Sequence, residues 1–380
     1  MKVLIAIRHD AYDTYGGDVL HAEKVSRGLK DLGVKVTLTI DSQPNLEGVD
    51  ILHVFNLDWI IDSSQQVKTG IDAGIPVVLT PIHHSFVELD AYEAQTEFGF
   101  NGIVSKIFPH HAQREILKNI YRSVIQMDTK KWAGTLKQLF VGINHEYLDT
   151  LEKATIILPN TELELKALEV DFGFIGNSEI VPAGVDPSFS KGDKSWFSKT
   201  YPEISKDLGE KFILSVGRIE LRKNQLRLLH AARLADLPIL LVGSFNPHHK
   251  SYANAIRHEL ELNPRAHHIE KIEHINLPSV YKAAGIHALV SFAETTGLVS
   301  LEGSLADCVI VSSSWGFGRE YLGNQAIYIE PDDVESIKAG LLKAWESRPS
   351  KELKEKVLEK YTWENVCQKT LTVYEDLLKG

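Results

Sequence analysis

Apolar positions along the chain follow two alternating patterns. Short β-branched runs occur at Val3–Arg8, Lys35–Ile40, Asp50–Phe55, Pro76–Thr80, Thr155–Pro159 and Glu179–Pro182. Between them, apolar residues recur at helical spacing, as at Val19, Ala22, Val25, Leu29 and Leu32, closed by Gly33. The cycle starts again in the second half. Strands fit Phe212–Val216, Ile239–Val242, His268–Ile272, Ala288–Phe292, Val309–Ser312 and Ile327–Ile329. Helices fit Asn224–Ala235, His248–Glu261, Leu277–Ala284, Val299–Asp307 and Val334–Ser347. Strands of this kind, alternating with helices, predict an α/β fold with parallel sheets. Two successive doubly wound, Rossmann-like domains account for the whole pattern. The boundary is expected within Pro182–Asp207, where Pro182, Gly184, Pro187, Gly192 and Pro202 interrupt the periodicity. We therefore expect an N-terminal domain over 1–185, with a strand-free helical insertion at 86–150. A C-terminal domain follows over 186–361, and one more amphipathic helix lies within 362–380.

Length and composition agree with this division. The chain has 380 residues, about twice a usual domain, with 43% hydrophobic and 24% charged residues. A net charge of −10 argues against a general polyanion binder but leaves room for local basic patches. Two cysteines, Cys308 and Cys367, can supply neither a disulfide framework nor a zinc site, which favours a reducing compartment. The apolar run at the N-terminus is too short for a signal peptide, and no stretch approaches the ~18 apolar residues of a membrane span. The expectation is a soluble, cytoplasmic protein.

Several chemistries are missing from the sequence. It contains no G-x-G-x-x-G, no G-x-x-x-x-G-K-[ST], no G-x-S-x-G, no H-E-x-x-H and no D-x-D. Three constellations remain, each just after a predicted strand, where open parallel sheets bind ligands. The first is Gly16-Gly17, opening the first helix; paired glycines admit close ligand approach, and a helix start attracts anions. A plain loop-to-helix turn explains it equally well. The second is Gly217-Arg218 with Lys223, flanking one strand-to-helix loop. A guanidinium fork and a mobile ammonium are suitable counter-charges for a diphosphate, whereas most such residues are solvated loop charge. The third is Glu294 and Glu302. Glu294 directly follows a strand and precedes Thr295-Thr296-Gly297 and a helix start; Glu302 lies further along that helix among apolar neighbours. Carboxylates accept from vicinal hydroxyls such as those of a sugar or ribose. A helix dipole explains Glu294 alone but not Glu302.

The order G-G, then GR-x4-K, then E-x7-E resembles the retaining GT-B glycosyltransferases, in particular family 4. ATIILPNTELELKAL, IVPAGVD, LPSVYKAAGIHALVSFAE and the run Tyr361–Leu378 resemble further segments of the family in order, so the likeness covers most of the chain outside Phe86–Asp149. The resemblance implies a GT-B fold, two Rossmann-like domains facing each other across a cleft, with the last helix packing back on the first domain. It implies that Arg218 and Lys223 hold the donor diphosphate beside Gly217, with Gly16 and Gly17 facing it from the other domain. Glu302 would hold the ribose hydroxyls and Glu294 the transferred sugar, next to the Thr296, Gly297 and Leu298 amides, with Ile272 near the base. A histidine after an N-domain strand would lie near the reacting carbon. His83 and His84 both stand there, and a structural histidine pair competes with a catalytic one.

Two departures bear on the donor. The usual Glu-Gly-Phe-Gly is Glu294-Thr295-Thr296-Gly297, and the glycine of the base-binding loop is absent from Lys271-Ile272-Glu273-His274. Residues 106–138 gather Lys106, Arg114, Lys118, Arg122, Lys130, Lys131 and Lys137 against only Glu115 and Asp128. This stretch would suit a peripheral contact with an anionic membrane at the inner face, or a solvated acceptor-side helix. The expected activity is a metal-independent hexosyltransferase without cofactor, using a UDP- or GDP-sugar as substrate and a glycan or lipid-linked hydroxyl as acceptor. Polysaccharide or glycoconjugate biosynthesis is the setting, and no nucleic acid partner is expected. A nucleotide-sugar epimerase of the same fold and a non-catalytic sugar-nucleotide binding protein are the rival readings.

Overall fold

The computed structural model describes residues 1–94 and 143–379. The basic stretch 106–138 and most of the expected insertion lie outside the described residues. The described residues divide into two compact units. One contains Met1–Asp90, 143–184 and 363–379; the other contains Val185–Thr362 with 91–94.

The first unit is built on a parallel sheet of five strands, β1 (Lys2–Ala6), β2 (Lys35–Thr39), β3 (Ile51–Phe55), β4 (Val77–Thr80) and β5 (Ile156–Ile157), in the order β2-β1-β3-β4-β5. The second is built on a parallel sheet of six. These are β6 (Phe212–Val216), β7 (Ile239–Val242), β8 (Ala266–Ile269), β9 (Gly285–Leu289), β10 (Val309–Ser313) and β11 (Ile327–Ile329), in the order β11-β10-β9-β6-β7-β8. Every residue of β3, β4, β7 and β10 is buried, as befits strands covered by helices on both faces. In each sheet the order reverses at one place, between β1 and β3 in the first and between β6 and β9 in the second. Loops that leave neighbouring strands in opposite directions open a crevice at such a point, which is where ligands of doubly wound sheets bind.

Two expectations change. Glu179–Pro182 is not a strand. Ser178 forms an isolated bridge with Ile157, and Val181 N donates to Pro159 O at 2.9 Å. Prolines at 159 and 182 carry no amide to extend the ladder, so β5 stops after two residues. The presumed linker Pro182–Asp207 also contains structure. Lys194–Thr200 is a helix whose Asp193 side chain accepts from Ser195 N, and Pro202–Leu208 is a second helix begun by its proline. Phe197 and Leu208 are buried in the second unit's core. Two turns are too few for helical periodicity to register in a sequence.

The chain's last helix, Trp363–Lys379, belongs to the first unit and packs against the helix Gly17–Asp31. Its Tyr374 hydroxyl lies 2.5 Å from His53 Nδ1 in the middle of the sheet, while His53 Nε2 meets Thr80 Oγ1 at 2.8 Å. Buried Cys367 faces Gly28 so closely that a Cβ there would lie 2.3 Å from its sulfur.

Beyond β4 the chain turns through His83, which is 0% exposed. Its Nδ1 meets Asp58 Oδ1 at 2.9 Å and its Nε2 meets Asp171 Oδ2 at 2.9 Å. The backbone amide of His83 donates to buried Glu164 at 2.7 Å. Burial works against the imidazolium, but the hydrogen bonds to Asp171 and Asp58 outweigh it and raise its pKa to about 9. Burial raises Glu164 to about 7 in spite of the amides of Asn160 and His83 that it accepts.

Two expectations follow for stability. Gly→Ala inside a helix ordinarily stabilises by ~0.5–1 kcal/mol, but at Gly28 the clash with Cys367 dominates. Gly28→Ala should therefore cost ~1–3 kcal/mol and lower the melting temperature; an unchanged or higher Tm would refute the packing described. For His83, the folded pKa of about 9 lies above the unfolded value of ~6.5. Its charge therefore stabilises fully below pH ~6.5, and that contribution, roughly 3 kcal/mol, is lost as pH rises through 9. Denaturant titrations of the native chain and His83→Asn should show a stability gap that narrows from pH 6 to pH 10, and a constant gap would contradict the buried cation.

Candidate active site

The switch point of the second sheet lies between the loops that leave β6 and β9, and both loops are shaped by residues that have no alternative. Gly217 ends β6 at φ 142°, a conformation open to glycine alone. Its carbonyl lies 2.1 Å from where a Cβ on Gly243 would be, so the loops after β6 and β7 touch through glycine. The chain then runs through a short turn, Leu221–Lys223, to Asn224 at φ 58° and the helix Gln225–Leu234. The Asn224 side chain is buried and donates to Val290 O at 3.1 Å and to Pro331 O at 2.7 Å. It thereby pins the loop after β6 to the segments that follow β9 and β11.

Arg222 makes a second brace. Its carbonyl accepts from Phe292 N at 2.9 Å, its Nη1 donates to Ala293 O at 2.5 Å, and Glu220 lies 3.3 Å from Nη2. Burial works against the Arg222 charge, yet Glu294 and then Glu220 outweigh it and hold its pKa above the ordinary value. Burial likewise opposes ionisation of Glu220, but Arg222, Lys223 and Arg218 keep its carboxyl below the usual range. This loop and Glu294 from the loop after β9 together form a compact patch of three cations and two carboxylates. Within it, Lys223 Nζ contacts Glu294 Oε2 at 2.5 Å, joining side chains 71 residues apart. Arg218 is half-buried, and its carbonyl accepts from Gln225 Nε2 at 2.9 Å.

The loop after β9 is fixed from the other side. Glu294 O accepts from Phe317 N at 2.9 Å, and Gly316, at φ 80°, leaves no room for a side chain, since a Cβ would lie 2.5 Å from that same oxygen. Gly297, at φ 67°, begins the helix Leu298–Leu305, and no side chain caps it. Ser300 N donates to Gly297 O at 2.8 Å, and a helix start without a side-chain cap suits an incoming anion. Beneath this loop is a small cavity lined by Glu294, Thr296 and Gly297 together with Ser291, Ser300 and Trp315. Glu302 lies further along the same helix, 7% exposed, and its Oε2 accepts from the Tyr281 hydroxyl at 3.1 Å. His274, in the loop beyond β8, brings Nε2 to 3.8 Å from Glu302 Oε1. Ile272 of that loop is buried in the core.

The structure therefore gathers Gly217, Arg218, Lys223, Glu294, Thr296, Gly297, Leu298 and Glu302 around the ends of β6 and β9. Gly16, Gly17, His83 and His84 belong to the first unit. Gly16 is extended, at φ −141°, and Gly17 begins its helix with no atom within 4 Å of a would-be Cβ. Packing within the described chain therefore does not demand glycine at 17. His83 has both ring nitrogens engaged and no exposure, whereas His84 is 21% exposed with Nδ1 3.0 Å from Asp58 Oδ2. Arg222, Asn224, Gly316 and Tyr281 were not among the residues the sequence singled out. Only Asn224, a residue tolerant of the left-handed region immediately before a helix, offered a local signal. Among the described residues no group of three or more His, Cys, Asp or Glu side chains converges as a metal set, and no helix is long and apolar enough to cross a membrane.

Comparison with known proteins agrees with this architecture. Residues 198–361 match the family described as Glycosyl transferases group 1. An uncharacterized glycosyltransferase of Methanocaldococcus jannaschii is 25% identical over 95% of this chain and 94% of its own length. The O-antigen chain mannosyltransferase B of Escherichia coli is 25% identical over 43% of this chain and 45% of its own. Among solved structures, the sucrose-phosphate synthase of Thermosynechococcus elongatus superposes with a TM-score of 0.72 at 16% identity, covering 100% of both chains. Anabaena HepE in complex with UDP gives 0.71 at 14% identity, covering 99% of this chain and 100% of its own. Two parallel Rossmann-like sheets give the chain the GT-B fold, and its second unit matches the glycosyl transferases of group 1.

Proposed function

We propose that the chain transfers a sugar from a nucleotide-diphosphate sugar, a UDP- or GDP-sugar, to a hydroxyl of a glycan or lipid-linked acceptor, with retention of anomeric configuration. The observation that carries this reading is the contact of Lys223 with Glu294 at the switch point. It brings a phosphate-binding type of side chain and a hydroxyl-binding one to a single spot beside an uncapped helix start. Arg218 and Lys223 would take the diphosphate, joined by the Thr296–Leu298 amides and by the backbone at Gly217, Gly16 and Gly17. A diphosphate that draws Lys223 away would release Glu294 to accept from the transferred sugar. Glu302 would take the ribose hydroxyls, with the base near Ile272. That HepE structures are complexes with UDP and with UDP-glucose supports a uridine donor.

In this reaction the bond between the anomeric carbon and the diphosphate oxygen breaks, and negative charge grows on the leaving phosphate while the sugar gains oxocarbenium character. The cations and the helix start stabilise that growing charge without rearranging. The acceptor hydroxyl attacks from the same face and gives its proton to the departing phosphate oxygen, so neither Glu294 nor Glu302 has to act as a nucleophile. Of the two histidines, His84 is the one proposed to face substrate, because the His83 ring is closed off between Asp58 and Asp171. The basic stretch 106–138 would suit an acceptor carried on an anionic membrane.

Lys223→Ala and Glu302→Ala should each lower acceptor-dependent release of UDP or GDP at least tenfold while the circular dichroism spectrum is retained. Unchanged turnover in either variant removes that residue from the site. Donor conversion in the absence of any acceptor would replace transfer by epimerisation.

A further inference from the structure

The buried carboxylate of Glu302 has two oxygens in different circumstances. Oε2 accepts from the Tyr281 hydroxyl at 3.1 Å, whereas Oε1 has His274 Nε2 at 3.8 Å, beyond hydrogen-bond range. Tyr281 is 0% exposed and cannot easily move. It lies in the helix Leu277–Ala284, which Gly285, the first residue of β9, closes in the left-handed conformation at φ 76°. Its ring meets Phe189 edge-on at 5.8 Å and His287 at 5.4 Å, and its carbonyl accepts from the Cys308 thiol at 3.1 Å. Burial, and then the Glu302 carboxylate, push the phenol well above its usual range, so the hydroxyl keeps its proton and serves only as a donor to that oxygen. His274, by contrast, is half exposed on a short turn and stacks edge-on against Phe189 at 5.4 Å.

We propose that Tyr281 is a positioning residue for the donor nucleotide. By tethering Glu302 Oε2 it fixes the plane of the carboxylate, so that Oε1 is presented to the ribose hydroxyls. This rests on the reading of Glu302 as the ribose acceptor. Without the tether the carboxylate is free to turn toward His274, which competes for Oε1. Orientation fixed in advance lowers the cost of binding a hydroxyl pair, and a site built around a hydroxyl rejects ligands that lack it. Tyr281 should therefore control discrimination between ribose and deoxyribose more than overall affinity.

Calorimetric titration of the full chain with UDP, 2′-deoxy-UDP, GDP and 2′-deoxy-GDP tests this directly. The native protein should bind its preferred nucleotide at least tenfold more tightly than the matching deoxy form. In Tyr281→Phe that ratio should fall to about threefold or less, while the deoxy nucleotide binds within about twofold of its native affinity. An undiminished ratio, or equal weakening of both ligands, overturns the proposal and leaves Tyr281 a core residue. His274→Ala gives an independent arm that does not perturb the core. Its ratio should stay the same or rise, and a collapse there would make His274 the positioning group and overturn the assignment to Tyr281. If the native protein itself shows no preference for ribose, the reading of Glu302 fails and the inference falls with it; a native preference that persists in Tyr281→Phe sinks the inference alone.

Discussion

In the second unit the strand order reverses between β6 and β9, and both strands deliver their loops to the same end of the sheet. That reversal is the constraint on which the rest depends. It keeps the loops after β6 and β9 from being covered by a shared crossover, so polar backbone and charged side chains can stand there without being sealed in the core. The opening costs packing, and the molecule compensates by bracing. Asn224 ties three inter-strand segments together, Arg222 closes on Phe292 and Ala293, and Gly316 admits Glu294 to a position no larger residue would allow.

The electrostatics follow from the same geometry. Three basic and two acidic side chains share one rim, and Arg222 and Lys223 lie against Glu220 and Glu294 there. Lys223 rests on Glu294, opposite charge on opposite charge, at a rim that the reversal leaves open. An anion more highly charged than a carboxylate can compete for that lysine at little cost, since one partner replaces another. The tether between Tyr281 and Glu302 lies deeper, in the layer of helices rather than at the rim, and is correspondingly rigid.

The first unit treats its charges differently. His83 is closed between two aspartates beneath the loop that leaves β4, and Arg8 is buried at the end of β1, where Nε donates to Asp18 at 2.6 Å and Nη2 to the carbonyl of Thr14 at 2.6 Å. Asn56, at the end of β3, donates to the same Asp18 at 2.8 Å. These contacts hold the loop that carries Gly16 and Gly17 without using any glycine-specific conformation at Gly16 or Gly17. Buried Arg8 and the mostly buried Asp18 brace a second switch point, whereas His84 keeps partial access to its surroundings.

Local information was enough for the architecture. Runs of Val, Ile and Leu buried on both faces, alternating with helices, specify parallel doubly wound units, because no other layer arrangement covers both faces of such strands. The same reasoning placed Gly217, Arg218 and Lys223 on the loop after β6, and Glu294 on the loop after β9. Short features escaped it. The helices Lys194–Thr200 and Pro202–Leu208 are too brief to show a period, and the run near Glu179 is β-like in composition but interrupted by proline. What the sequence could not contain is the pairing itself. Lys223 meets Glu294 and Tyr281 meets Glu302 only because the order of strands brings β6 beside β9 and lays the helix Leu277–Ala284 next to the helix Leu298–Leu305. A side chain's local pattern records which face of its own element it occupies; its partner, its burial and hence its charge state are set by elements that arrive from elsewhere in the chain.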